Sequence, residues 1–307
     1  MQGSNISRKI EKFFGFQTEI KWPNAIFIVV YHIVGVYWCW HYALPVKWQS
    51  VVFALVMYVV SGLGVTCGAH RLWTHRSYKA TLPLQVLLLF MFSCASQTSV
   101  RLWARNHRLH HKHSDTHADP HNVGRGLFYA HIGWLMMKKH PEALAKGKTI
   151  DISDIESDPL LRFHERNILW INSLCCFILP TLAGVWLWHE GWCTAVAWQC
   201  FIRYASAFHC EFTVNSLAHA YGYRPYNSTI PPAESWYVSL TTLGEGYHNY
   251  HHSFPFDYKA AETWDLLNLS TAFIRLFRSI GWAYDLKEAS EESVRSLVER
   301  LGKSAAS

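Results

Sequence analysis

AIFIVVYHIVGVYWCWHYA, residues 25–43, is the stretch on which the fold turns. These 19 residues contain no Asp, Glu, Lys or Arg. As a helix rising ~1.5 Å per residue they reach ~28 Å, about the thickness of a bilayer's hydrocarbon core. Leu44-Pro45 makes a short turn, and the apolar segment 51–67 returns. The pair predicts a membrane hairpin. A second hairpin is predicted at 168–188 and 192–214, joined by His189-Glu190-Gly191. Its second arm carries Arg203 and Glu211, eight residues apart and so expected on one helix face. Ionisable groups inside a membrane helix are costly and face protein, water or a cavity.

The remaining apolar segment, 82–97, is short and reads as membrane-associated without crossing. An even number of spans puts both termini on one side. The turns at 44–47 and 189–191 carry few charges, whereas 70–81, 101–167 and 219–307 hold most Lys and Arg. The excess of Lys and Arg places those segments and both termini in the cytosol. Met1 to Lys21 lacks the apolar core and small-residue cleavage site of a signal peptide.

Composition agrees. Of 307 residues, 50% are hydrophobic and 16% charged, against about 25% charged in soluble proteins. Mean hydropathy is close to zero, so a substantial part lies outside the membrane. The net charge of +6 is scattered between apolar segments and gathers in no nucleic-acid-binding motif. The eight Cys lack a paired framework and are expected as packed free thiols. Beta signals are sparse. The expected fold is an all-α membrane protein of four transmembrane helices. It forms one domain over 1–307, with non-membrane segments 68–81, 98–167 and 215–307.

Histidine is the anomaly. Eight of the 19 His fall in three clusters: His70 and His75 (HRLWTH), His107, His110 and His111 (HRLHH), and His248, His251 and His252 (HNYHH). Positions i, i+3 and i+4 lie on one helix face, so each HxxHH is expected to aim three imidazoles at one point. The two His of HxxxxH lie ~140° apart on a regular helix and require a helix end or a bend. Neutral imidazole binds Fe, Zn, Cu and Ni. Eight ligands exceed one four-coordinate site, so two metals are indicated. Each cluster follows an apolar segment and lies on the expected cytosolic side.

These residues also carry a resemblance. The chain resembles the membrane-bound acyl-CoA desaturases, specifically the animal stearoyl-CoA Δ9 type, over about 20–285. The matching stretches are GAHRLWTHRSYKA (68–80), ARNHRLHHKHSDTHADPHN (104–122), NSLAHAYGYRPY (215–226) and GEGYHNYHHSFPFDY (244–258). The resemblance implies a mushroom-like protein whose four spans, two hairpins, carry a cytosolic helical cap holding two Fe ions. It implies His219 as a ninth ligand and Asn215 as a contributor through water. It further implies an endoplasmic reticulum enzyme that uses O2 and electrons from NADH through cytochrome b5 and its reductase. The product would carry a cis double bond, most simply at Δ9 of a C16–C18 acyl-CoA. No side chain can attack an unactivated C–H bond, which fits such a metal centre.

By the same resemblance Gln97 and Trp103 belong to a bend in the acyl tunnel. Arg105, Lys138 and Lys139 would hold the CoA phosphates, Asn24 would contact the CoA, and Tyr58 and Gly62 would line the far end. A small residue at 62 is expected to leave room for an 18-carbon chain. The chain departs from the family at Asn106, at 98–102, and at Glu211, where the family has a tunnel-lining Thr. A Glu211–Arg101 pair is the expected compensation. These departures leave the histidines intact and bear on chain preference and double-bond position. Asp115, Asp119 and Glu245 are the expected carboxylate partners of ligand imidazoles; His113, His117 and His121 are candidates for the same task. His32 and His41 are read as structural. Asp285 to Lys303 is expected as a solvent-exposed amphipathic helix without chemistry. Alternatives are a desaturase of other regiochemistry, a lipid hydroxylase on the same site, and a non-catalytic metal-binding scaffold. Position 248 is His rather than the Gln of front-end desaturases, and no HPGG occurs. An imidazole site also suits Zn.

Overall fold

The computed structural model describes residues 5–13, 16–262 and 267–302. The two ends of the expected domain, 1–4 and 303–307, lie outside the described residues, as do 14–15 and 263–266. The protein is mostly helical. After a short α1 (Asn5–Phe13) come α2 (Trp22–Tyr42) and α3 (Trp48–Thr74), then α4 (Leu82–Ser93) and α5 (Val100–His113). Short helices fill 123–166. The long α6 (Ile168–Trp188) and α7 (192–220) follow, then α8 (His248–Ser253), α9 (Leu269–Ser279) and α10 (Glu291–Leu301). Two two-residue strands, β1 (Lys79–Ala80) and β2 (Ala283–Tyr284), pair antiparallel.

Among the described residues three helices, α2, α3 and α6, are long and apolar enough to cross a membrane. Pro23 stands in the first turn of α2, where its missing N–H costs nothing. The side chains of α2 face outward: Phe27 is 71% exposed, Ile33 64% and Trp40 85%. Only Ile28 and Gly35 of this helix are buried. Backbone satisfied within the helix and apolar side chains turned outward are what lipid requires. Helix α7 contains the expected span 192–214, but Arg203, His209 and Glu211 dilute it below the apolarity of the other three. Helix α4, at 12 residues, reaches only ~18 Å and is too short to cross.

The two hairpins are stitched together at their turns. Lys47 Nζ donates to the carbonyls of Trp188 and His189 at 2.7 Å each, capping the end of α6. Glu190 accepts from Ser50 Oγ at 2.6 Å and from the Lys47 amide at 3.0 Å. The largest apolar core lies at the other end, where α3, α4 and α9 meet around Leu72, Leu84, Leu88, Phe92 and Ile274. Helices α3 and α4 approach so closely that a Cβ on Gly64 would lie 2.2 Å from backbone atoms of Met91 and Phe92. Only glycine permits that contact.

Arg203 and Glu211 do not act together. Arg203 is buried and donates to the carbonyl of Cys94 at 3.4 Å and to that of Cys176. All eight Cys are free. Helix α10 is amphipathic as expected, but it is not simply solvated. Val294 is buried against Tyr250 and Phe254 on the rear of α8, and Leu297 joins them.

Candidate metal centre

The first histidine pair owes its geometry to an unusual helix. The end of α3, Gly64–Thr74, is wound as a π-helix, with i→i+5 hydrogen bonds. One of these runs from the His75 amide to the His70 carbonyl at 3.0 Å. A five-residue spacing that diverges on an α-helix therefore stacks on this wider one. His75 caps this helix, so the expected helix end is present, and the change of winding adds to it. His107, His110 and His111 lie on α5, His219 at the end of α7, and His248, His251 and His252 on α8.

The nine imidazoles gather into two groups. One comprises His70, His75, His107, His111 and His251; the other comprises His110, His219, His248 and His252. Within each, the ligand nitrogens lie within 4.8 Å of one another. The expectation that each HxxHH serves one point is overturned. His107 and His111 join the first group while His110 joins the second; His248 and His252 join the second while His251 joins the first. The helix explains the split. Residue i+4 lies ~40° to one side of residue i, and i+3 lies ~60° to the other.

Hydrogen bonding does not account for the first group. Nε2 atoms face one another in a chain: His70–His251 at 2.9 Å, His251–His111 at 3.0 Å, His111–His107 at 3.0 Å and His107–His75 at 3.1 Å. A neutral Nε2 offers one proton or one lone pair. Five such atoms form at most two hydrogen bonds, yet four contacts exist. Two nitrogens bound at ~2.1 Å and at right angles to one ion would stand ~3.0 Å apart. The second group repeats the spacing, with His219–His248 at 2.9 Å and His248–His252 at 3.1 Å. Convergent lone pairs at these distances fit a metal ion in each group.

Carboxylates fix which nitrogen faces inward. Nδ1 of His70 lies 2.8 Å from Glu245, Nδ1 of His110 2.8 Å from Asp119, and Nδ1 of His219 2.8 Å from Asp115. A carboxylate only accepts, so each Nδ1 donates and each Nε2 keeps its lone pair. All three carboxylates were expected from the sequence. Glu245 is buried, which opposes its charge, but Arg71 and His70 hold it down at about 2. Burial and neighbouring imidazoles push His75, His107, His111, His248, His251 and His252 well below the ordinary histidine range. Neutral imidazole is the form that binds metal. His121 is buried with its Nδ1 3.5 Å from Asp119; His117 stacks on His140.

Beside the first group lies a largely apolar cavity of about 230 Å³. His107 belongs to both, and Gln97, Trp103, Phe208, Glu211 and Asn215 line other walls. Trp103 Nε1 donates to Gln97 Oε1 at 2.7 Å, fixing one corner. A second cavity of about 310 Å³, lined by Asn24 and His32, shares Leu135, Tyr204 and Phe208 with the first. Asn24 itself donates to the Leu135 carbonyl at 3.0 Å. His32 bonds to His209 at 2.9 Å, which supports the structural reading. His41 is exposed and packs against Tyr37.

The basic residues separate. Lys139 donates to Asn106 on the cavity wall at 2.6 Å. Burial, with Arg105 and Lys21 nearby, pulls it down to about 8. Lys138 points elsewhere, paired with Glu19 at 2.6 Å. Tyr58 and Gly62 line a small separate compartment with Glu211. The expected Glu211–Arg101 pair does not form, because Arg101 is held by Glu165 at 2.8 Å.

Sequence reasoning missed Arg71 and Arg108. Arg71 is fully buried and donates to Glu245 at 2.8 Å and to the Tyr258 carbonyl at 2.9 Å. Arg108 joins α5 to the carbonyls of Trp73 and Thr74, at 2.9 and 3.0 Å, and to Asp154. The available signal was an arginine beside a histidine within a cluster that otherwise packs inward.

The sequence profile of the family described as Fatty acid desaturase matches residues 46–285. An acyl-CoA Delta(11) desaturase of Spodoptera littoralis is 49% identical over 286 residues, covering 92% of this chain and 84% of that one. An acyl-CoA Delta-9 desaturase of Acheta domesticus is 44% identical, covering 94% and 80%. The stearoyl-CoA desaturase of Homo sapiens is also 44% identical, covering 93% and 79%.

Proposed function

The chain belongs to the fatty acid desaturase family, and from that premise we propose that it inserts a cis double bond, at Δ9, into a saturated acyl-CoA. The observation that carries the reading is His107, at once a member of the five-imidazole group and a wall of the apolar cavity. No side chain on the wall, His107 included, has the power to attack a methylene, so the oxidising power must come from what the imidazole group holds. In this reading each group holds one Fe ion, through His70, His75, His107, His111 and His251 and through His110, His219, His248 and His252. Asn215 serves the second ion through water. When bound, iron supplies the oxidising power toward O2 and C–H bonds that side chains lack. The overall reaction takes two hydrogens from the chain and reduces O2 to two waters, with two electrons and two protons supplied from outside.

The chain's own residues bind and orient. Phe208 and Phe212 give the acyl chain an apolar wall, and the Trp103–Gln97 hydrogen bond sets the corner it must turn. Holding one carbon pair against the His107 wall is what selects the bond to be oxidised. Lys139, bonded to Asn106 on the cavity wall and with Arg105 nearby, suits the phosphates of CoA; Asn24 lines the second cavity, and Lys138 joins them only by leaving Glu19. Helices α2, α3, α6 and α7 act as four spans of the endoplasmic reticulum membrane, α4 rests against it, and both termini and the histidine groups lie on its cytosolic side. Electrons come from cytochrome b5 and its reductase. The relatives include both Delta-9 and Delta(11) desaturases, so Δ11 is the second reading.

The test is expression in yeast lacking its own Δ9 desaturase, with double bonds located by mass spectrometry. A Δ9 monoene that disappears in His110→Ala and His251→Ala is the expected result. A Δ11 monoene keeps the enzyme class and rejects Δ9. A hydroxylated product, or none from an abundant iron-loaded protein, rejects the desaturase reading.

A further inference from the structure

We propose that Glu211 sets the length of acyl chain the protein accepts, by closing the cavity beyond the histidine wall; this rests on the acyl-CoA reading above. Two compartments meet at this side chain. The first is the cavity of about 230 Å³ that His107 and Trp103 line. The second lies between Tyr58, Gly62, Thr66 and Leu243 and holds about 20 Å³. Among the described residues, Glu211 alone lines both. A single water needs ~10–15 Å³ measured this way. The far compartment therefore takes about one water and no run of methylenes.

The room expected from a small residue at 62 is already filled. A Cβ built on Gly62 would lie 2.7 Å from Leu243 Cδ1. The neighbouring hydroxyls are committed elsewhere: Tyr58 donates to the Thr241 carbonyl, and Thr242 to the Val238 carbonyl at 2.6 Å. The charged group that bears on Glu211 is another carboxylate, Glu245. Among the described residues Glu211 has no hydrogen-bond or ion-pair partner. An alkyl chain driven past it would strip water from a carboxyl and return no hydrogen bond, which is strongly unfavourable. A chain that stops short leaves the carboxyl its water. Size and polarity thus act in the same direction, and the substrate is a chain shorter than octadecanoyl.

The wild type, Glu211→Ala, Glu211→Gln and Leu243→Ala are expressed in the desaturase-deficient yeast. Cells are fed dodecanoate, tetradecanoate, hexadecanoate or octadecanoate, and monoenes are quantified for each length. The wild type should favour the shorter acids. Glu211→Ala should raise the ratio of octadecenoate to tetradecenoate by about tenfold or more, the discrimination typical of methylene-sized space. Glu211→Gln and Leu243→Ala should raise it less, since the amide keeps the bulk and the polarity while the loss of Leu243 leaves the carboxyl in place. A second readout needs no turnover. In the purified protein without reductant, tetradecanoyl-CoA should raise the unfolding temperature more than octadecanoyl-CoA, and Glu211→Ala should erase that difference. Abundant product with the ratio unchanged in Glu211→Ala overturns the proposal alone, as does a wild type that takes octadecanoate as readily as tetradecanoate. No monoene and no protection by any acyl-CoA overturns the acyl-CoA reading, and this proposal with it.

Discussion

The two imidazole groups share two helices and differ in what braces them. Helix α5 gives two histidines to the first group and one to the second; α8 does the reverse. The first group is completed by the π-wound end of α3, the second by His219 on α7. Behind the first stands a buried ion pair, Arg71–Glu245 at 2.8 Å, set among core residues. Behind the second stands a loop. Asp115 and Asp119 follow α5 directly and are held by backbone amides, from Asp115 to Asp119 at 2.8 Å and from His121 to Asp119 at 3.0 Å. One group is braced by the fold and the other by a local turn. The difference teaches that the same ligand chemistry can be coupled strongly or weakly to global stability.

The hardest test of this contrast removes ligands. His251→Ala should empty the first group and His248→Ala the second, each lowering bound metal by about half and abolishing desaturation, since a missing ligand costs most of a site's affinity. Metal analysis of the two purified variants checks it; loss of all metal in both would show that the groups are not separate.

Next comes the brace itself. Arg71→Ala leaves buried Glu245 with His70 but without its permanent charge partner, and should lower stability by about 3–5 kcal/mol. Asp119→Asn sets an NH2 against one of the donors that Asp119 now satisfies and should lower stability by about 1–3 kcal/mol, less than Arg71→Ala, while weakening metal binding at the second group by about 10–100-fold. Equal losses of stability in the two would erase the distinction drawn here. Chelator competition and thermal unfolding, run side by side, separate the outcomes.

The smallest effect lies outside both groups. Lys139 is held down to about 8 by burial and by Arg105 and Lys21. A lysine is charged below its pKa, so its grip on phosphate is present at neutral pH and fades as pH rises through about 8. The KM for acyl-CoA should rise by about tenfold across that window, the value of a charge-assisted hydrogen bond. Lys139→Arg, which stays charged, should flatten the rise. A wild-type KM insensitive to pH would remove Lys139 from the binding role.

Much of this molecule is legible in its order of residues. Three spans follow from apolar runs, since α2, α3 and α6 lie within a few residues of the segments at 25–43, 51–67 and 168–188. The fourth is harder to read because Arg203 and Glu211 interrupt it. The histidines announce a metal centre by number and spacing. The carboxylates Asp115, Asp119 and Glu245 were also readable, because a ligand imidazole commonly donates its other N–H to a carboxylate; Nδ1 of His248 and of His251 has no such partner among the described residues. The division of labour inside each HxxHH was not. Spacing gives angles on one helix, and it says nothing of two acceptors standing on either side of it. The Glu211–Arg101 pairing failed for a related reason, since Glu165 reaches Arg101 first.

By itself, then, the sequence determined the membrane-embedded helical class, the ligand chemistry and the family, because hydropathy and residue type act locally along the chain. Only the tertiary structure decided which imidazole serves which group, how α3 unwinds into a π-helix to bring His70 over His75, and where Glu211 stands between two compartments. The grouping and the place of Glu211 depend on surfaces brought together from distant parts of the chain, and the winding of α3 on the close packing of α4 against it, so no local pattern encodes them.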